Sequence, residues 1–93
     1  MKVVGKGKID AFIKKHADAS GWLVPWLAET EAAQWNSPND VKLRYPKASI
    51  IDGNTIIFDV KGNDYRMEVK ISFNTQTLLI NRIGTHAEYN RWK

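Results

Sequence analysis

The chain has 93 residues, 43% of them hydrophobic, four tryptophans, no cysteine and a net charge of +4. That suits one domain (1–93) around one modest core, and it excludes a disulfide framework, a thiolate metal site and a cysteine nucleophile. Charged residues at 26% fit a folded chain rather than a disordered one. Charge is unevenly spread: residues 1–16 carry five lysines against Asp10 alone, whereas residues 17–41 carry Asp18, Glu29, Glu31 and Asp40 with no Lys or Arg. Lys42, Arg44 and Lys47 follow. A basic protein with a separate acidic segment suits a polyanion on one side and a different partner on the other, although ordinary surface charge accounts for the net value alone. Met1-Lys2-Val3-Val4 runs into Gly5-Lys6-Gly7-Lys8, with no apolar run of the kind a signal peptide or membrane span needs, so the expectation is a cytoplasmic protein without membrane contact.

In chain order, Lys2–Val4 reads as a short edge strand or an extended lead-in. Ile9, Phe12, Ile13 and His16/Ala17 recur at helical spacing, which predicts a helix over 8–19 closed by Gly21. A second helix is expected from near Val24 to about Trp35, with Pro25 in its first turn, where a missing N–H costs nothing. Trp22, Trp26 and Trp35 read as core rather than as a stacking platform for bases. Ser37-Pro38-Asn39-Asp40 combines an N-cap serine, a proline at N1 and an acid at N3, and so starts a short helix that ends before Pro46.

The remaining chain reads as strands over 48–51, 55–61, 65–73 and 78–83. Asp52-Gly53-Asn54, Gly62-Asn63-Asp64 and Asn74-Thr75-Gln76 form the turns. Tyr65, Met67, Val69, Ile71 and Phe73 alternate with Arg66, Glu68, Lys70 and Ser72, the period of a strand with one dry and one wet face. The expected fold class is α+β: N-terminal helices packed on one face of a mainly antiparallel four-stranded sheet.

No glycine-rich phosphate loop, zinc-protease motif or nucleophile elbow occurs, and the two histidines, His16 and His86, stand far apart in sequence. No metal or cofactor site is therefore expected. What stands out is a cationic set. Lys61 and Arg66 flank one turn, Arg82 lies late in the last strand, and His86 and Tyr89 follow in Gly84-Thr85-His86-Ala87-Glu88-Tyr89. RNA cleavage by a 2′-hydroxyl needs such a set: a group to remove its proton, a group to protonate the 5′-oxygen, and fixed cations for the anionic phosphorane. Arg66, Glu68 and Lys70 also suit a solvated salt-bridge ladder, and His86 a turn cap. Arg82 shares alternation parity with Leu78 and Ile80, while Leu79 and Ile83 fall on the other side with Asn81; either face suits water, with or without a bulge, and Arg82 is expected on the open one.

Three blocks, Ala33-Gln34-Trp35-Asn36-Ser37-Pro38-Asn39-Asp40-Val41, Phe58-Asp59-Val60-Lys61-Gly62-Asn63-Asp64-Tyr65-Arg66-Met67 and Arg82-Ile83-Gly84-Thr85-His86-Ala87-Glu88-Tyr89, together resemble HigB-type toxins of bacterial toxin–antitoxin pairs, within the RelE-like superfamily. The resemblance covers roughly residues 8–90. It implies a RelE-like fold, an mRNA interferase acting on messages, often in the ribosomal A site, and a cognate HigA-like helix-turn-helix antitoxin. It implies Lys61, Arg66, Arg82, His86 and Tyr89 as site residues: the arginines contacting phosphate, His86 or Tyr89 transferring protons, Lys61 as support or base. Asn90 departs from the aspartate common there, which bears on the orientation of the His or Tyr. The alternatives are a non-catalytic basic RNA- or ribosome-binding module on the same fold, and an interaction domain in which the acidic segment 17–41 docks a partner.

Overall fold

The structure, a computed structural model, describes residues 1–92. Its elements are β1 (Lys2–Val4), α1 (Lys6–Lys15), a single 3-10 turn (Ala17–Ala19), α2 (Ser20–Ala32), α3 (Pro38–Arg44), β2 (Ser49–Ile50), β3 (Thr55–Val60), β4 (Tyr65–Ser72), β5 (Thr77–Thr85) and α4 (His86–Arg91). The class is α+β, as the pattern implied. The sheet, however, has five strands in the order β1-β5-β4-β3-β2, and it is mixed. The four-stranded expectation left out β1, read as either an edge strand or a lead-in, which pairs parallel to β5 through Lys2↔Thr77, Val3↔Leu78 and Val4↔Leu79. A three-residue strand has no periodicity to read; its partner decides it.

Both early helices also depart from the expected bounds. α1 ends at Lys15, and His16 leaves helical geometry at φ −134°. Its ring lies 4.6 Å from that of Phe12 and 5.1 Å from that of Tyr65. Gly21 therefore does not close α1 but sits in the first turn of α2, and Pro25 stands inside that helix. An interior proline costs roughly 3 kcal/mol through its lost hydrogen bond and its clash with the preceding turn. Burial offsets this cost. Leu23, Trp26 and Thr30, at i, i+3 and i+7, are at most 1% exposed, and Trp22 stacks on Trp26 at 6.4 Å. α2 stops at Ala32, short of Trp35, as Ala33 turns extended. The Met1 amino group donates to the Thr30, Glu31 and Ala33 carbonyls there. α3 follows its sequence signal: the Ser37 hydroxyl accepts from the Asp40 N–H, with Pro38 at N1.

The core lies between helices and sheet. Ile9, Phe12, Leu23, Trp26, Trp35 and Val41 meet Ile56, Phe58, Val60, Met67, Val69, Ile71, Leu78 and Ile80. Phe58 is its aromatic hub, with the rings of Trp22, Trp26 and Tyr45 at 6.3, 5.4 and 5.3 Å. Three of the four tryptophans, Trp22, Trp26 and Trp35, thus serve packing as expected. Among the described residues no helix is long and apolar enough to cross a membrane.

Beyond β1, part of the edge of β5 is capped by a side chain. Lys8 Nζ donates to the carbonyls of Ile80 and Asn81 at 3.3 and 2.8 Å. Phe58→Ala removes the ring that three other aromatics touch. Urea unfolding is expected to show a loss of about 3–5 kcal/mol with folding retained.

Candidate nucleic-acid interface

Alternation along β4 sends Tyr65, Met67, Val69 and Ile71 into the core and Arg66, Glu68, Lys70 and Ser72 to the open face. The partner strand keeps step until Glu68↔Arg82, after which the next pair is Val69↔Ile80. Asn81 is thus an extra residue, a β-bulge. It reverses the parity of β5, so that Leu78 and Ile80 point inward while Arg82 points outward. Arg82 Nη2 then meets Glu68 Oε2 at 3.2 Å, and Asn81 Nδ2 meets the other oxygen at 3.3 Å.

The end of β5 leads into α4 through a capping box. The Thr85 hydroxyl accepts from the Glu88 N–H, and the Glu88 carboxylate accepts from the Thr85 N–H at 2.9 Å. That bond, the largest influence on it, holds the Glu88 carboxyl below its ordinary value. Thr-x-x-Glu at 85–88 is the sequence signature of such a start. The reading of residues 84–89 as the carrier of His86 and Tyr89 did not use it. The His86 N–H donates to the Asp64 carbonyl at 3.2 Å, tying α4 to the β3–β4 turn. Gly84, opposite Arg66 in the ladder, makes room for the helix: a Cβ there would stand 2.9 Å from Trp92 Cζ2 and 3.1 Å from Glu88 Cβ.

Four of the five expected site residues come together here. Arg66 is only 9% exposed. Its Nε meets Asp59 Oδ1 at 3.2 Å, Nη1 donates to the Tyr65 carbonyl at 3.1 Å, and Nη2 to Asn63 Oδ1 at 3.5 Å. Its guanidinium carbon lies 5.4 Å from the Tyr89 ring centre. The exposed His86 ring stands 6.1 Å from that of Tyr89. Arg82 lies over the Trp92 ring at 4.4 Å, and Trp92 packs on Tyr89 at 5.6 Å. Asn90 Nδ2 is 3.5 Å from His86 Nδ1. An amide can donate to that nitrogen, whereas an aspartate there would instead accept from it, so the two favour opposite ring tautomers.

Lys61 is the exception. It adopts φ 53° in the turn, and its ammonium goes to Asp18 at 2.7 Å and Asp64 at 3.7 Å. Asp18 also accepts from the Tyr65 hydroxyl at 2.7 Å. Tyr65 faces the helices and Arg66 the opposite side, so Asp18 draws Lys61 away from Arg66 rather than beside it. The hydrogen bond to Lys61, then that to Tyr65, holds the Asp18 carboxyl below its ordinary value, and the same Asp18 contact raises Lys61. The residues that position the cluster (Asp59, Glu68 and Trp92) carried no motif. Only alternation, applied across paired strands, points to the two acids.

The arrangement, a cationic and aromatic cluster on the open end of a sheet backed by helices, is that of a small α+β protein with a surface suited to phosphate and stacked bases. Residues 19–92 match the HigB toxin family, described as the RelE-like toxic component of a toxin–antitoxin system. The match spans well over half of the chain, and the protein belongs to this family. No curated protein matches it.

Two outcomes are expected. Gly84→Ala forces α4 off the sheet, and chemical denaturation should report a loss of about 1–3 kcal/mol. Asp18 titrates lower folded than unfolded, so its contribution is complete above its ordinary value of 3.8 and disappears as pH falls through the folded value. Thermal midpoints followed from pH 6 down to about 2.5 should therefore fall more steeply for wild type than for Asp18→Asn.

Proposed function

We propose that the protein is an mRNA interferase that cleaves messages, in association with the ribosome, by attack of a 2′-hydroxyl on the adjacent phosphate. Arg66 and Arg82 contact the phosphate and stabilise the phosphorane. His86 and Tyr89 remove and return protons, the 2′-hydroxyl losing one and the departing 5′-oxygen gaining one. The bonds balance: the phosphorus gains the 2′-oxygen and loses the 5′-oxygen, leaving a cyclic phosphate and a free hydroxyl end.

The observation that carries this reading is the state of Arg66. A guanidinium fixed by Asp59, the Tyr65 carbonyl and Asn63, next to the Tyr89 ring and with His86 beyond it, is oriented before substrate arrives. Preoriented charge is what stabilises a transition state at least cost. Lys61 enters as electrostatic support at the margin while Asp18 holds it; direct contact with RNA would require it to leave that carboxylate. The description of the family as a toxic component gives such an activity a purpose.

The test is primer extension on a translated message, with and without ribosomes. Wild type is expected to produce discrete cuts. His86→Ala, an exposed position, should lose about 10²-fold or more in cutting, in line with the removal of a positioned proton-transfer group. Arg66→Lys keeps the charge and loses the fork, and should lose a similar factor with its circular dichroism unchanged. Intact messages in the presence of tight, salt-sensitive RNA binding would identify a non-catalytic binding module instead. Full cutting by both variants would remove the site.

A further inference from the structure

The proposed chemistry leaves a groove elsewhere on the molecule unused. Between α2 and β3 lies a groove of about 460 Å³ whose walls include Trp22, Tyr45 and Phe58, with Lys47 and Asp59 among its lining residues. Its polar lining is nearly balanced. Arg44 is spent on Glu29 and the Asp59 carboxylate on Arg66, which leaves Lys47, without a hydrogen-bond or ion-pair partner among the described residues, as the unneutralised cation of the lining. Such a lining does not favour a polyanion. It suits an apolar side chain accompanied by a single carboxylate.

The sheet is also unfinished at this point. β2 pairs with β3 only through Ser49↔Ile57 and Ile50↔Ile56. Before that the chain turns away at Tyr45-Pro46, where the Ala48 N–H bonds the Tyr45 carbonyl at 2.9 Å. The Thr55 carbonyl accepts from the Ile51 N–H at 2.9 Å, on the β2 side. Residues two apart point their main-chain groups the same way, so Asp59 faces that side too. Its N–H and C=O have no partner among the described residues. The carboxylate of the same residue holds Arg66 at 3.2 Å.

We propose that this groove is the docking site of the antitoxin. An extended segment of it fills the lane that β2 vacates and pairs with the main chain of Asp59. It seats an apolar side chain among Trp22, Tyr45 and Phe58, and it sets a carboxylate against Lys47. Strand addition satisfies the N–H and the C=O of an unpaired edge together, and aromatic slots supply the concentrated affinity of protein interfaces. The inference rests on membership of a toxin–antitoxin family and not on the nuclease reading. Through Asp59 the bound segment acts on Arg66 without entering the open face.

Amide hydrogen exchange tests it on the wild-type toxin, alone and in complex with its co-expressed antitoxin. The Asp59 amide is expected to exchange rapidly in the free toxin and about 100-fold or more slowly in the complex. Lys47→Glu and Trp22→Ala should each weaken the complex about tenfold or more, with message cutting unchanged. Equal Asp59 exchange in both states, or antitoxin affinity unaltered by Lys47→Glu, overturns the proposal. Protection of Asp59 by a single-stranded RNA oligonucleotide overturns it as well, since the groove would then belong to substrate. If Trp22→Ala does not fold, the wild-type exchange and Lys47→Glu still decide. Protection of Asp59 in a toxin that leaves messages intact would sustain the docking site while the nuclease reading fell.

Discussion

One extra residue in β5, Asn81, decides which side of the sheet the late side chains occupy. Without it, Leu78, Ile80 and Arg82 would share a face, and either two aliphatic side chains would lie in water or a guanidinium would lie in the core. Either alternative costs more than a locally interrupted ladder, because burying an unpaired charge is dearer than leaving one residue unpaired. The cost is small here, since Lys8 bonds the Ile80 and Asn81 carbonyls and Glu68 engages both Asn81 and Arg82. The bulge thus lets one strand serve the core at its start and the cationic face at its end.

Carboxylates govern the cations expected at the site. Arg66 pairs with Asp59, Arg82 with Glu68, and Lys61 with Asp18 and Asp64. Exposed pairs of this kind contribute little to stability, whereas the pair at Arg66, whose side chain is 11% exposed, is largely shielded from solvent. Its value is orientation: a guanidinium already aimed loses less freedom when it meets a phosphate. In the proposed reaction an incoming phosphate would compete with carboxylates for these donors, so binding and the resting structure would draw on the same groups. Lys61 is drawn to the helical side by an acid from the segment that separates α1 from α2. In this way the acidic stretch of the sequence enters the site's electrostatics.

α4 completes the surface by a different principle. Six residues are too few to form a helix alone. The Thr85–Glu88 box starts it, Gly84 admits it to the sheet, and Trp92 beyond its end, packed on its own Tyr89, anchors it on Arg82 of the sheet. Histidine, tyrosine and two arginines from three elements meet because a glycine leaves space for the helix that carries two of them.

Much of the architecture was legible in the chain by itself. The period-two run from Tyr65 to Phe73, the Ser-Pro-x-Asp start of α3 and the turn at Gly62-Asn63-Asp64 are local signals, and local geometry answers to them. So are the family blocks, whose resemblance implied Lys61, Arg66, Arg82, His86 and Tyr89 as site residues. Tertiary packing decided the rest. Pro25 lies within α2 because Leu23 and Trp26 gain more from burial than the proline costs. β1 exists because β5 offers it an edge. Arg82 faces outward because register across two strands, not parity along one, sets its side. Lys61, next to Arg66 in every sequence argument, departs for Asp18, some forty residues upstream. Periodicity constrains a residue's own strand. Where its charge is neutralised depends on what the fold brings within a few ångströms, and a linear sequence does not contain that distance.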